Sequence, residues 1–209
     1  MDLLTAIIDI VLHLDVHLLK LTADYGVWVY AILFLIIFCE TGLVATPFLP
    51  GDSLLFVAGA LCGMDALQLG WLAPLLMLAA FAGDNTNYWI GRLVGTRLLH
   101  AQTRLIKREH LDKTHAFYEK HGSKTVVLAR FLPIIRTFAP FVAGIGLMRY
   151  RLFMLSSALG SVLWIGSLTL AGYFFGNIPA VKNNLTLIIV GIIVVSLLPA
   201  MRELIRHRK

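Results

Sequence analysis

This sequence is short of charge. Only 14% of its 209 residues are Asp, Glu, Lys or Arg, 58% are hydrophobic, and the mean hydropathy is +0.81. Soluble domains carry about 25% charged residues. A chain this poor in charge is excluded from the soluble globular class and reads as an integral membrane protein. Acidic residues are the scarcer sign, with 12 against 18 Lys and Arg and a net charge of +6. The basic surplus is gathered in Arg97 to Lys124, at Arg149 and Arg151, and in Arg202 to Lys209. That placement is the positive-inside pattern rather than a nucleic-acid surface, so no nucleic-acid partner is expected and anionic lipid headgroups are.

Cysteine is nearly missing. Cys39 and Cys62 lie in apolar segments without metal-type spacing and read as small buried hydrophobes. Met1-Asp2-Leu3-Leu4 lacks a basic leader region, so no cleaved signal peptide is expected. There is no nucleotide-binding glycine loop, no Gly-x-Ser-x-Gly and no His-Glu-x-x-His. His110, His115 and His121 lack ligand spacing. Asp9, His13 and His17 recur at helical spacing and could hold a metal, but they read better as the wet face of a helix. No metal, no cofactor and no enzymatic chemistry is expected.

What is present is a set of apolar runs broken at specific places. Residues 1–25 form an interrupted apolar stretch with a polar stripe, as in an amphipathic interfacial helix. Residues 27–39 are too short to span, because a crossing needs about 20 apolar residues. They meet Glu40, Gly42, Pro47 and Pro50-Gly51-Asp52, and a second short run follows to Met64. Two short helices around a Pro/Gly break predict a re-entrant hairpin over 27–64. Residues 71–99 are long enough to span, and 100–122 are charged and interfacial. The hairpin pattern returns over 123–148, with Arg130, Pro133, Arg136 and Pro140 at its break, and spans follow at 153–175 and 184–201.

The tetrapeptide Phe-Val-Ala-Gly occurs at Phe56 to Gly59 and again 85 residues later at Phe141 to Gly144. Tyr88 and Gly91 recur at the same offset as Tyr173 and Gly176. The pattern predicts one membrane domain of 209 residues built from two units, 26–99 and 123–176. A basic tail puts the C-terminus in the cytoplasm. One span then separates the two hairpins, so they open to opposite sides with their tips near the midplane. The expected fold is all-α and polytopic: an inverted repeat of two opposed re-entrant hairpins, about three full spans and an N-terminal amphipathic helix.

The charges at the breaks are acidic in the first unit, Glu40 and Asp52, and basic in the second, Arg130 and Arg136. Each costs about 2.5 to 3.5 kcal/mol at the bilayer centre, so four dry and unpaired charges would cost roughly 10 kcal/mol, as much as a whole fold is stable. They must be paired, hydrated or turned to a cavity. A buried ion-pair lock between hairpins is the structural reading. The functional one uses the same geometry: two arginines near helix N-termini suit a phosphate, and two carboxylates can exchange protons. Asp84 is a candidate further partner within the polar cluster Asp84 to Asn87, a cluster that also suits helix–helix glue. Tyr88 and Thr137 are placed beside it. Trp89 and Trp164 read as packing or interface residues.

At these residues the chain resembles the DedA family of bacterial inner-membrane proteins. The resemblance rests on Phe38-Cys39-Glu40-Thr41-Gly42, Pro47 to Asp52, Gly83-Asp84, Tyr88 to Arg92, Arg130 to Pro133, Arg136 to Pro140 and Gly172 to Gly176. It implies two opposed re-entrant hairpins, shared with eukaryotic lipid scramblases of the same superfamily. It also implies proton-coupled return of undecaprenyl phosphate across the inner membrane in support of the cell envelope. The family's acidic pair falls on Glu40 and Asp52, which would couple protons, and its arginine pair on Arg130 and Arg136, which would bind substrate. The expected partners are the bilayer, an anionic lipid phosphate and protons; a homo-oligomer stays open. A passive scramblase, a proton-coupled exchanger of small ions, a polyprenyl-diphosphate phosphatase and a scaffold remain the alternatives.

Overall fold

The computed structural model describes residues 14–43, 51–100, 122–182 and 191. Among these residues the regular elements are all helices, as the apolar periodicity requires. They are α1 (Leu14–Tyr25), α2 (Trp28–Gly42), α3 (Gly51–Cys62), α4 (Leu69–His100), α5 (Pro133–Ile145), α6 (Tyr150–Phe175) and α7 (Pro179–Lys182), with a further helical stretch over 122–129. The expected 184–201 span, most of the 100–122 linker, Asp9 and His13 lie outside the described residues.

Helix length follows the placement of Pro and Gly. α6 has 26 residues and enough apolar character to cross a bilayer. α4 has 32 residues, about 48 Å at 1.5 Å per residue, so the expected 71–99 segment has the length to cross, but among the described residues α6 alone is also apolar enough to count as a span. α2, α3 and α5 have 15, 12 and 13 residues, short of the length a crossing requires. The break between 122–129 and α5 is local chemistry. Leu132 is extended (φ −114°, ψ 107°), as a residue before proline prefers, and Pro133 starts α5, where its missing N–H is no loss. Both short helices end in the same way. Asp65 and Leu147 take left-handed backbone (φ 58° and 52°), and the next N–H reaches back five residues, from Ala66 to the Leu61 carbonyl and from Met148 to that of Ala143.

The chain forms two compact units, which cut α2, α4 and α6 partway along. One comprises Met1–Ile36, Phe48–Leu76 and Ile165–Lys209, the other Ile37–Pro47 and Met77–Trp164. In the first unit α1 packs on α3, burying Leu14 and Leu18 one helical turn apart. α3 is buried along almost its whole length and rests on the second half of α6. A side chain at Gly59 would collide with the Thr169 carbonyl, one at Gly172 with the Phe56 carbonyl, and one at Gly176 with Ala60. In the second unit α5 rests on α4 through the same contacts. A side chain at Gly144 would collide with the Tyr88 carbonyl, one at Gly91 with the Phe141 carbonyl, and one at Gly95 with Ile145.

The short-helix partners in these contacts are 85 residues apart, as the two Phe-Val-Ala-Gly copies are. The long-helix partners are 81 apart: Tyr88 corresponds to Thr169, Gly91 to Gly172 and Gly95 to Gly176. The packing therefore does not use the pairing of Tyr88 with Tyr173 and Gly91 with Gly176 that the sequence suggests. The difference of four residues is about one helical turn, so both registers put glycine on one face and sequence alone does not separate them.

Candidate functional site

Charged and polar side chains converge inside the second unit, brought there by the end of α2, the middle of α4, the 130–136 break and the first half of α6. Glu40 sits in the last turn of α2 and is fully buried. Arg136, in the first turn of α5, donates from Nη2 to Glu40 Oε1. Arg130, in the turn that ends the 122–129 helix, donates from Nη1 to Asp84 Oδ2. Asp84 lies midway along α4, and its Oδ2 also accepts from Ser157 Oγ of α6 at 2.6 Å. Arg130 is 4% exposed, Arg136 8% and Asp84 1%, so both ion pairs are formed away from solvent, where losing one partner is costly.

One aromatic ring serves both cations. The buried Trp164 ring lies 4.5 Å from the Arg136 guanidinium carbon and 5.5 Å from that of Arg130. Such contacts are worth about 2 kcal/mol when desolvated. Each buried guanidinium thus has a carboxylate, and the two share the Trp164 ring. Two buried charged donor atoms of Arg130, Nε and Nη2, make no hydrogen bond among the described residues.

The frame around the pairs is held by backbone contacts. Asn87, one turn after Asp84, donates from Nδ2 to the carbonyls of Thr41 (3.1 Å) and Thr137 (2.7 Å), tying α2 to α5. Gly83 meets α2 at Thr41, and a Cβ there would collide with the Thr41 hydroxyl. Gly160 leaves room on α6 for the Arg130 side chain, whose Cδ would stand 3.1 Å from a Cβ at that position.

Of the residues expected from sequence, Glu40, Arg130, Arg136, Asp84 and the Thr137 backbone come together here. Asp84, given a supporting part, is the direct partner of Arg130. Asp52 lies in the first turn of α3, half-buried, in the other compact unit. Tyr88 is fully buried in a separate aromatic cluster, stacked on Phe153 at 4.4 Å, with its hydroxyl donating to the Met148 carbonyl (2.6 Å) and accepting from Arg92 (2.9 Å). Sequence reasoning missed Ser157 and Trp164 as site residues. Their signal was a stripe on α6, Ser157, Gly160, Ser161 and Trp164, at spacings of three, four and seven. Among the described residues no group of His, Cys, Asp and Glu has the makings of a metal site.

The chain is similar to known membrane proteins. A profile of the VTT domain matches residues 49–174. Protein DedA of Escherichia coli (strain K12) is 59% identical over the whole chain and 97% of its own length. An uncharacterised membrane protein of Mycobacterium leprae is 47% identical over 79% of this chain and 75% of its own. The inner membrane protein YqjA of Escherichia coli (strain K12) is 32% identical over 86% of this chain and 81% of its own. No solved structure matches the chain.

Proposed function

This chain belongs to the VTT-domain family of DedA-like membrane proteins, and we propose that it moves a polyprenyl lipid phosphate across the bacterial inner membrane, coupled to protons. The observation that carries the reading is the pair of buried arginines, each held by a carboxylate, with Arg130 Nε and Nη2 making no hydrogen bond among the described residues. A phosphate offers three acceptor oxygens and, like a carboxylate, can take the guanidinium fork with two parallel hydrogen bonds. In the empty site Glu40 holds Arg136 and Asp84 holds Arg130. An arriving phosphate takes the free donors of Arg130 first and then competes with Glu40 for Arg136. Protonation of Glu40 releases Arg136 to the substrate, and Asp52 is the second carboxylate that exchanges protons. The apolar tail stays in the bilayer.

Energetics favour the proton. Moving one negative charge inward against an inside-negative potential costs about 2.3 kcal/mol per 100 mV, and a phosphate monoester carries nearly two charges. One or two accompanying protons remove that cost. The lipid by this reading is undecaprenyl phosphate, returned for another round of envelope synthesis. The matched glycine contacts of α3 on α6 and of α5 on α4 support two copies of one unit, which we read as inverted, each with a re-entrant hairpin. The C-terminus is assigned to the cytoplasm.

The enzyme alternative has one specific observation in its favour. Ser157 and Asp84 form a hydroxyl–carboxylate pair beside Arg130. Against it, Asp84 Oδ2 is already engaged by Arg130 and is poorly placed to act as a base. Purified protein incubated with a polyprenyl diphosphate releases no inorganic phosphate by the transport reading; release that disappears in Ser157→Ala would establish the phosphatase. Arg130→Gln and Arg136→Gln each abolish transport while retaining helical circular dichroism. Full transport in either variant would rule out the phosphate site.

A further inference from the structure

Residues 122–182 contain no Asp or Glu, yet they carry six Lys and Arg, the strongest charge asymmetry in the chain. Two of the six, Arg130 and Arg136, belong to the site above. Lys124, Arg149 and Arg151 are exposed. Lys124 lines a groove of about 590 Å³ between the 122–129 helix and α6, together with Val127, Leu128, Leu152, Leu155, Leu159 and two serines, and Arg151 directly precedes Leu152 in the chain. Its volume lies inside the usual range of ligand sites, about 300–1,000 Å³. Leu128 and Leu155 are 65% and 67% exposed, so the groove is an open apolar trough rather than a closed cavity.

The trough has a charged end and a deep end. Gly160, the residue after the last lining leucine, faces both Val127 and Arg130, so the two walls run in the same direction. Lys124 in the first turn of one wall and Arg149 and Arg151 at the start of the other therefore share the charged end. The deep end abuts the Arg130 side chain, and Lys124 is about 9 Å from Arg130 along the helix axis at 1.5 Å per residue. An apolar trough capped at one end by cations, on a stretch without acidic residues, complements a molecule with an apolar chain and an anionic head.

We propose that this groove seats the hydrocarbon chain of a lipid phosphate, with its headgroup at Lys124, as a waiting position one short step from Arg130. The inference deepens the transport reading and takes its biological role from it. The seat itself is tested by binding alone.

The test uses the full-length protein in phosphatidylcholine vesicles with equal mole fractions of a polyprenyl phosphate and the corresponding neutral polyprenol. Photoreactive benzoylphenylalanine replaces Leu155 in the groove or, as a control, the exposed Leu78 on α4. After illumination the lipid adducts are weighed by mass spectrometry. At position 155 the phosphate is captured about five-fold over the alcohol, the worth of one basic residue at a membrane surface. Lys124→Gln lowers that ratio, Lys124→Arg preserves it, the triple variant Lys124→Gln/Arg149→Gln/Arg151→Gln brings it close to one, and at position 78 the two lipids are captured equally. Equal capture at 155 in the otherwise native protein would overturn the proposal, and so would no capture at 155 while 78 labels normally. Selective capture at 155 by a protein that transports nothing would sink the transport reading and leave this seat standing.

Discussion

Breaking the Arg130–Asp84 pair gives the sharpest test of the site's energetics. In Asp84→Asn the Arg130 charge stays in a position only 4% exposed with no carboxylate against it. Removing one partner of a buried pair costs about 3–5 kcal/mol. Ser157 loses little, because the Asn oxygen still accepts its hydroxyl. For a chain of this size each kcal/mol lowers Tm by about 2–4 °C, so Asp84→Asn falls by roughly 6–20 °C. Arg130→Met strands the Asp84 charge and falls by a similar amount. The double variant Asp84→Leu/Arg130→Met removes both charges and leaves a packed apolar patch, which is often neutral or stabilising by about 1–4 kcal/mol. Ser157 can then turn its hydroxyl to its own helix backbone. Thermal melts of the purified protein in micelles, followed by circular dichroism, give the four corners of the cycle. The double variant melts near wild type and transports nothing. If it melted as low as the two single losses summed, the buried pair would not exist as described.

Two further predictions concern packing. Gly91→Ala, Gly144→Ala and Gly172→Ala each force a methyl into a backbone carbonyl or amide of the partner helix and destabilise by about 1–3 kcal/mol, whereas Gly70→Ala, with nothing within 4 Å, leaves Tm unchanged or slightly higher in the same melts. Tyr88→Phe removes the hydroxyl shared by the Met148 carbonyl and Arg92 and costs about 1–3 kcal/mol of stability, while transport per folded molecule is retained.

Much of this fold was legible because proline, glycine and charge punctuate an otherwise apolar chain. Pro133 after an extended Leu132 marks a helix start wherever it falls, and the break at 130–132 is where the sequence puts it. Phe-Val-Ala-Gly was legible because glycine there serves a contact between backbones, and both copies make it. The register of the long helices was not, since a four-residue shift keeps the same face toward the neighbour. In the site, Arg130, Arg136 and Glu40 announced themselves as charges set inside apolar runs. Asp84 was harder to assign, because polar residues in a span serve as glue as readily as they serve a charge, and only the packing of α4 beside the 130 turn decides. Trp164 was hidden for the opposite reason: a tryptophan in an apolar helix is ordinary, and its role comes from two guanidinium groups delivered by a distant part of the chain.

The central claim is that the two arginines take a lipid phosphate that moves with protons. The most direct measurement is translocation of labelled undecaprenyl phosphate in proteoliposomes, with and without an imposed pH gradient, for the native protein and for Arg130→Gln and Arg136→Gln. The account predicts movement that follows the gradient and vanishes in both variants. Movement that ignores the gradient and survives both substitutions would contradict it.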